Sequence, residues 1–253
     1  MSDPSKQRMP TSDFKPKIIV VEDDPAMLRL LGELLKEMGA EPHLFGHGLA
    51  AANLIDREKF DGAILDWQLP EMDGLELTRH IRRSKSNNNI PIVMLGGAAD
   101  QPGVEAFFKA GVSFYLQKPV NVTQLRRLLT ASRGAMVAER RAYQRAPVSL
   151  TLRVHWEGQQ ASGLTANLGS RGALLGLEDP PAEGSPVKVE FSLPTTAEAL
   201  EFTGVVSRVE EDPPPGQSSG QAVAIEFTAA SLHHRHQVID FVDKTLAAQE
   251  AEK

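Results

Sequence analysis

The stretch ILDWQLPEMDGLEL, residues 64–77, joins a short apolar run to an amphipathic one through a polar turn. The apolar run is GAILDW at 62–67, and the amphipathic run continues as GLELTRHIRR at 74–83. A short apolar run bounded by turn residues is typical of a buried strand, and apolar residues three and four apart predict a helix. The stretch therefore predicts a strand that ends near Asp66 and is followed by a helix.

The same strand-then-helix pattern extends through residues 16–132. The predicted strands lie at 17–23, 41–46, 62–67, 91–96 and 113–119, and the predicted helices at 27–39, 48–59, 74–83, 101–111 and 122–133. Such a regular alternation indicates a parallel sheet with helices on both faces. The first half of the chain is therefore predicted to be an α/β domain.

The pattern changes beyond residue 140. Strand-like segments lie at 148–157, 162–168, 172–178, 186–194, 200–211 and 221–229, and a final helix begins near Ser231. Short strands in series predict a small all-β barrel or sandwich with a terminal helix. DPPPGQSSG at 212–220 predicts an irregular, mobile hairpin loop. The predicted organisation is a disordered tail at 1–15, a first domain at 16–132, a helical linker at 133–140 and a second domain at 141–248.

Composition restricts the possible function classes. The chain has 253 residues, of which 41% are hydrophobic and 24% charged, as in a soluble protein of two globular domains. Its net charge of −6 argues against a dedicated nucleic-acid-binding protein, and the absence of cysteine excludes disulfides and thiolate chemistry. No segment is apolar over the length of a signal peptide or a membrane span. We expect a cytoplasmic protein without membrane insertion.

Acidic residues follow the predicted strands of the first domain. Glu22 and Asp23 follow the first strand, Asp66 the third, and Lys118 the fifth. Ligands of parallel sheets bind at these carboxyl ends, where Mg²⁺ would relieve the repulsion between carboxylates. Asp66 is then a candidate nucleophile that forms an acyl phosphate, and Lys118 a candidate partner for its oxygens. The alternative for any single acid is an ordinary helix N-cap.

Residues 16–132 resemble the receiver domain of response regulators, which has a flavodoxin-like fold. The resemblance rests on IIVVEDD at 18–24, ILDWQLPEMDGLEL at 64–77 and YLQKP at 115–119. It implies that a histidine kinase phosphorylates Asp66, that Lys118 pairs with the phosphoryl group, that Pro119 follows a cis peptide bond and that Tyr115 is the switch aromatic. The predicted Mg²⁺ set comprises Glu22, Asp23, Asp66 and Gln68. A dehalogenase-type phosphatase is less compatible, because it needs a second aspartate where Gln68 stands.

One position departs from the receiver family. The family has threonine or serine at the end of the fourth strand, where this chain has Gly96 followed by Gly97. Losing one neutral hydrogen bond costs about 1 kcal/mol. We therefore expect phosphorylation to persist and the conformational response to be weakened or altered. The alternative is a receiver retained for docking or for homodimerisation.

A second candidate site begins at the domain junction. ERRAYQR at 139–145 supplies arginines, whose planar forks bind phosphate and the edge of guanine. NLGSRG at 167–172 adds an amide and two glycines that permit close approach of a ligand. Taken singly, these features are also typical of a solvated helix end and a β-turn. The predicted ligand residues are Arg140, Arg141, Arg145, Asn167, Gly169 and Gly172.

Residues 139–245 resemble the PilZ domain, a β-barrel that binds cyclic di-GMP through an RxxxR segment and a [D/N]xSxxG strand. The resemblance implies that Arg141 and Arg145 bind phosphates and guanine faces and that Asn167 reads guanine. Gly172 would permit the close approach of the messenger. The serine position holds Gly169, so one contact is missing, and Ser170 is out of register.

Together the two resemblances predict a non-enzymatic response regulator. Its expected partners are a histidine kinase, cyclic di-GMP and an unidentified protein concerned with motility, attachment or polysaccharide. The alternative is an interaction scaffold that binds no cyclic di-GMP and has a receiver that does not switch. A DNA-binding regulator ranks last, because the second half shows strands and no helix-turn-helix pattern.

Overall fold

The computed structural model describes residues 14–97, 104–196 and 198–251. The chain divides into two compact units, Met1–Arg140 and Arg141–Lys253. Within the described ranges no helix combines the length and apolar character that a bilayer crossing requires. Most of the predicted disordered tail lies outside these ranges, but Phe14, which the prediction placed in it, packs against the first unit's core.

The first unit is an α/β sandwich around a parallel sheet, as predicted. The strand order is β2-β1-β3-β4-β5, and every pairing is parallel. This is the flavodoxin-like order, with its switch point between β1 and β3. The elements are β1 (Lys17–Val21), α1 (Pro25–Glu37), β2 (Glu41–Phe45), α2 (Gly48–Ile55), β3 (Gly62–Asp66), α3 (Gly74–Arg83), β4 (Ile92–Gly96), α4 (Val104–Ala110), β5 (Phe114–Gln117) and α5 (Val122–Tyr143).

The strands of this sheet are almost continuously apolar in sequence, because helices cover both faces of the sheet and both sets of side chains are buried. Along β1, Ile18 and Val20 pack into one core cluster and Ile19 and Val21 into the other. Side chains alternate between the faces of a strand, so one short run contributes to both clusters. This burial fixes the register of β1, and with it the position of the acids that follow.

Several helix boundaries differ from the prediction. Helix α1 begins at Pro25 because Asp24 caps it, accepting the amide of Ala26 at 2.8 Å. Helix α2 ends at Ile55, short of the predicted 59. Helix α4 begins at Val104, and residues 101–103 of the predicted helix lie outside the described ranges.

The last helix of the receiver-like unit continues through the predicted linker. Helix α5 extends to Tyr143, and contacts of its later turns within the first unit explain the extension. Met136 is buried, and Arg140 donates through Nε to Asp61 Oδ1 at 2.8 Å and through Nη2 to the other oxygen. Asp61 is fully buried, so its charge requires this partner.

The second unit is an antiparallel β-barrel with a terminal helix, as predicted. Its strand order is β6-β8-β7-β10-β11-β12-β9, and a further pairing of β8 with β9 closes the barrel. Helix α6 covers it with Val238 and Val242 in the core. The elements are β6 (Arg145–Ala146), β7 (Thr151–Trp156), β8 (Gln159–Gly169), β9 (Gly172–Leu177), β10 (Pro186–Ser192), β11 (Ala199–Glu210), β12 (Gln221–Ala229) and α6 (Leu232–Ala251).

The segment 212–220 between β11 and β12 has no regular structure, as predicted. It is attached to the barrel, because Gln217 donates to the carbonyl of Leu164 at 2.8 Å and Ala222 donates to that of Asp212 at 3.0 Å. The mobility expected of this loop remains a prediction.

We expect Asn87→Ala to destabilise the first unit by about 3 kcal/mol. Asn87 is fully buried; its Oδ1 accepts from Phe60 N at 2.8 Å, and its Nδ2 donates to the carbonyls of Ile55 and Glu58 at 2.8 and 2.7 Å. Alanine leaves these buried backbone groups without partners. Asn89→Ala, at an exposed position, is the matched control.

The measurement is urea unfolding followed by tryptophan fluorescence. The chain has two tryptophans, Trp67 in the first unit and Trp156 in the second, so a Trp156→Phe background isolates the first. A loss below about 1 kcal/mol would show that the side chain of Asn87 is dispensable.

Candidate functional site

Three carboxylates converge at the carboxyl ends of β1 and β3. Oxygens of Glu22, Asp23 and Asp66 all lie within 4.8 Å of one another. The parallel pairing of Val21 with Leu65 aligns the ends of the two strands and therefore brings these acids together. Glu22 and Asp66 are buried, whereas Asp23 is exposed and leaves the cluster accessible from solvent.

Lys118 completes this site from the end of β5. Its Nζ lies 2.9 Å from Asp66 Oδ2 and 2.8 Å from Glu22 Oε2. The peptide bond between Lys118 and Pro119 is cis, as the resemblance implied. The structure thus groups the predicted nucleophile, acidic pair and lysine at a single position.

The electrostatics of the cluster favour a divalent cation. Burial raises the pKa of Glu22 and the charge of Asp66 raises it further, against the opposing hydrogen bond from Lys118. Burial alone would lower the pKa of Lys118, but its hydrogen bonds to Glu22 and Asp66 raise it above the ordinary value. One ammonium among three carboxylates leaves an excess of negative charge, and hard oxygen donors are the ligands that Mg²⁺ prefers. The donor set therefore fits Mg²⁺.

Gln68 differs from the three carboxylates because it contacts the site through its backbone amide. Its backbone amide lies 3.4 Å from Asp66 Oδ1, an acceptor within the cluster. This contact orients the Asp66 side chain through a donor, whereas a metal ligand must offer an oxygen. The role of Gln68 in holding Mg²⁺ remains a prediction.

The second predicted site assembles where β6 pairs with β8. Arg145 lies opposite Gly169, and Ala146 lies opposite Leu168. Ala146 and Leu168 are fully buried, so their strand neighbours point away from the barrel core. Arg145, Asn167 and Gly169 therefore share the outer face, although the first of them is over twenty residues from the others in sequence.

The backbone of Gly172 also lies close to neighbouring groups. A Cβ atom on Gly172 would lie 3.2 Å from Arg145 Nη2 and would collide with the carbonyl of Ile225. Only glycine fits between these groups. Nearby, Oδ1 of Asn167 is buried without a hydrogen-bond partner in the described part of the chain. An unpaired acceptor beside an exposed arginine fits the N–H donors and phosphates of a guanine nucleotide.

The other two predicted arginines have different partners. Arg141 Nη2 lies 2.9 Å from Asp240 Oδ1, and Arg141 Nε contacts Asp243 Oδ2, both on α6. Arg140 pairs with Asp61 in the first unit. Of the three arginines, Arg145 alone contacts the glycines of the predicted site; the messenger-binding roles of Arg140 and Arg141 remain predictions.

Comparison with known families agrees with this geometry. Residues 18–130 match the response regulator receiver domain, and residues 139–244 match the PilZ domain. The chain is a response regulator receiver protein with a PilZ domain. The PilZ match begins before the predicted boundary at 141 and takes in Arg140. The domain boundaries themselves remain predictions.

Individual relatives resemble parts of this response regulator. A chemotaxis protein CheY homolog of Campylobacter jejuni is 35% identical over 105 residues, which are 41% of this chain and 81% of the relative. Sensor protein GacS of Pseudomonas syringae is 37% identical over 119 residues, 46% of this chain and 13% of GacS. The cyclic di-GMP phosphodiesterase response regulator RpfG of Xanthomonas campestris is 32% identical over 117 residues, 46% of this chain and 31% of RpfG.

Among solved structures, the receiver domain of a sensor histidine kinase from Pseudomonas aeruginosa PAO1 is similar. It is 30% identical, with a TM-score of 0.45, and the match covers 48% of this chain and 99% of that one. The chain spans less than a third of GacS and of RpfG, so the activities of those whole proteins are not transferred to it.

In the receiver domain, Tyr115 occupies the space beside Gly96. Its hydroxyl donates to the carbonyl of Gly96 at 3.1 Å, and a Cβ atom on residue 96 would lie 3.2 Å from that hydroxyl. Its ring stacks on Phe107 at 5.5 Å, and Phe107 meets the edge of Trp67, the residue after Asp66. An aromatic cluster thus lies where the family has a threonine or serine.

In the PilZ domain, the missing serine is explained by strand packing. A Cβ atom on Gly169 would lie 2.5 Å from the carbonyl oxygen of Gln144 and 2.8 Å from Arg145 Cγ. Backbone cannot yield as a flexible side chain can, so any larger residue requires β6 to shift. The close pairing of β6 and β8 therefore requires glycine at position 169.

Sequence reasoning missed two residues that the structure places at the site. Asp240 and Asp243 lie three residues apart on α6 and both contact Arg141. Their spacing on a predicted helix indicated a shared acidic face, but nothing local indicated an arginine about a hundred residues away as the partner.

We expect Gly169→Ser to destabilise the PilZ domain by about 1–3 kcal/mol and not to improve ligand binding. The added atoms collide with the backbone of Gln144. Thermal unfolding observed through Trp156 in a Trp67→Phe background measures the loss, and Gln160→Ser, at an exposed position on the same strand β8, is the control. Unchanged stability with tighter binding would show that β6 moves easily and that the family's serine contact can be restored.

Proposed function

We propose that this response regulator accepts a phosphoryl group on Asp66 from a histidine kinase and binds cyclic di-GMP through Arg141, Arg145 and Asn167. The two signals would control a protein partner concerned with motility, attachment or polysaccharide. The observation that carries the proposal is the grouping of Glu22, Asp23 and Asp66 within 4.8 Å beside Lys118, in a chain that also pairs Arg145 with Gly169.

For phosphoryl transfer, a carboxylate oxygen of Asp66 attacks phosphorus as the bond from phosphorus to the donor's nitrogen breaks, which gives an acyl phosphate. Lys118, already 2.9 Å from Asp66, pairs with the phosphoryl oxygens. Glu22, Asp23 and Asp66 would hold Mg²⁺, which when bound would supply positive charge next to the phosphoryl group being transferred. Exposed Asp23 leaves the approach to Asp66 open on one side.

For messenger binding, two features of the PilZ domain support the proposal. Arg145 is exposed and makes no side-chain hydrogen bond among the described residues, so its donors are available. Among the residues that the structure describes, none pairs with the buried Oδ1 of Asn167, which costs about 1–3 kcal/mol until a ligand satisfies it. Gly169 and Gly172 permit the ligand to lie close to the backbone.

A second candidate function is an interaction scaffold that binds no cyclic di-GMP. The absence of a side-chain hydroxyl at Gly96 and at Gly169 favours it, and a homodimer through the receiver would suit it. Receiver and PilZ domains are non-catalytic signalling domains, which fits a protein that is not an enzyme. We propose a cytoplasmic protein that binds no DNA and does not insert into membranes.

We expect Mg²⁺ and a small phosphodonor, such as acetyl phosphate, to add one phosphoryl group to the wild-type chain and none to Asp66→Asn. Asp23→Asn should react at least about tenfold more slowly, because it removes one Mg²⁺ ligand. Asp24→Asn is the matched control: it removes the same charge one residue away and keeps a side-chain oxygen to cap α1.

Intact-mass spectrometry over time measures the phosphorylation. Labelling of Asp66→Asn at the wild-type rate would place the phosphoryl group on another residue. An equal loss in Asp23→Asn and Asp24→Asn would show that total charge, and no specific ligand, controls the reaction.

We expect Arg145→Ala to weaken binding of cyclic di-GMP by about 10- to 100-fold, since it removes charge-assisted hydrogen bonds. Calorimetric titration measures the affinity. Arg145 is the better choice for this test than Arg141, whose removal would leave Asp243 unpaired. Arg153→Ala, at an exposed position on β7, is the control. A wild-type chain that binds no cyclic di-GMP would leave the scaffold as the function.

A further inference from the structure

The first arginine of the RxxxR segment is engaged by two acids of the same domain. Arg141 donates through Nη2 to Asp240 at 2.9 Å and through Nε to Asp243. Three residues separate the two acids on α6, so they present their carboxylates on one side of the helix. We call Asp240 and Asp243 the acidic pair.

The acidic pair occupies a phosphate-binding edge of Arg141. The Nε and Nη2 groups of a guanidinium point in parallel and form one of the forks that hold an oxyanion bidentately. Each of these two nitrogens already donates to a carboxylate. With all three groups ionised, the cluster carries a net charge of −1, which opposes an incoming phosphodiester.

The two acids differ in how strongly they need the arginine. The side chain of Asp240 is 64% exposed, whereas that of Asp243 is 9% exposed. Burial raises the pKa of Asp243, and its hydrogen bond to Arg141 opposes that effect. A buried carboxylate that loses its only cation is strongly destabilised, because the medium around it solvates charge poorly.

Asp243 lies next to the residues that hold α6 on the barrel. Val238 and Val242 of α6 are fully buried in the core of the PilZ domain. A change that exposes Asp243 to water therefore competes with the burial of Val242. Taking Arg141 away from Asp243 would weaken the docking of α6.

We propose that the acidic pair competes with the phosphates of cyclic di-GMP for Arg141, and that messenger binding loosens α6 by leaving Asp243 without its cation. This rests on the proposed function, because the competing ligand is the messenger. It makes Asp240 and Asp243 residues that set the affinity of the site, and α6 the element that responds to it.

Neutralising the acidic pair should tighten binding. In calorimetric titrations of the two-domain chain with cyclic di-GMP, we expect a gain of about tenfold for Asp243→Asn and about threefold for Asp240→Asn. Asparagine keeps the shape of the side chain and removes the charge that competes for Arg141. Glu250→Gln, which removes one charge from the last turn of α6, is the matched control and should leave the affinity unchanged.

The outcomes separate this proposal from the proposed function. If the wild-type chain binds and the two asparagine variants bind no more tightly, the acidic pair does not compete and the proposal fails alone. A gain for Glu250→Gln equal to theirs would also overturn it, as a general effect of charge. If no variant binds cyclic di-GMP, the proposed function fails and this proposal with it. Should Asp243→Asn not fold, exposed Asp240 decides the question.

Hydrogen exchange tests the response of α6. In the wild-type chain, saturating cyclic di-GMP should speed exchange of the α6 amides around Val238–Asp243 by about tenfold. The same addition should leave α6 exchange unchanged in Asp243→Asn, where no buried carboxylate is left behind. Unchanged or slower exchange in the wild-type chain would overturn the loosening of α6.

Discussion

Both domains of this protein depend on the pairing of buried carboxylates with single cations. Glu22 and Asp66 share Lys118, Asp61 has Arg140, and Asp243 has Arg141. An unpaired carboxylate in such surroundings is too costly to retain, so each of these cations is fixed in place by its acid. The same pairing makes each acid sensitive to any ligand that competes for its cation. Under the proposed function, that ligand would be a phosphoryl group in the receiver and a phosphodiester in the PilZ domain.

The fold could be predicted because its signals are local. Apolar runs such as that of β1 and amphipathic runs such as that of α3 specify their elements within a dozen residues. Because ligands of parallel sheets bind at the carboxyl ends of the strands, the sequence alone predicts that Glu22, Asp23, Asp66 and Lys118 lie together. Almost all residues of the receiver site could therefore be predicted from the sequence.

The long-range ion pairs could not be predicted from local sequence patterns. Asp61 and Arg140 are 79 residues apart, and Arg141 and Asp243 are 102 apart, so no spacing rule connects them. For this reason the prediction from sequence grouped Arg140, Arg141 and Arg145 as one ligand set. In the structure each of the three arginines has a different environment. Helix α5 continues through the segment predicted as a helical linker, where Met136 and the Asp61 pair stabilise its later turns.

The two glycine departures have different physical meanings. At Gly96 the ring and hydroxyl of Tyr115 fill the space that a side chain would take, and the hydroxyl donates to the carbonyl of Gly96. At Gly169 the backbone of Gln144 fills it, and no replacement donor is introduced. An aromatic side chain from the neighbouring strand therefore fills the receiver position, whereas the backbone of a closely paired strand fills the PilZ position.

Strand β6 consists of two residues, Arg145 and Ala146, and pairs with β8 alone. So short a strand at the end of a sheet has few backbone hydrogen bonds to resist local opening, and it belongs to the least stable end of a domain's opening equilibria. Arg145 is therefore presented by a segment held by few backbone hydrogen bonds and by the fully buried side chain of Ala146. A ligand that bridges Arg145 and Asn167 would add contacts across this two-residue pairing, so its binding would also oppose local opening of β6.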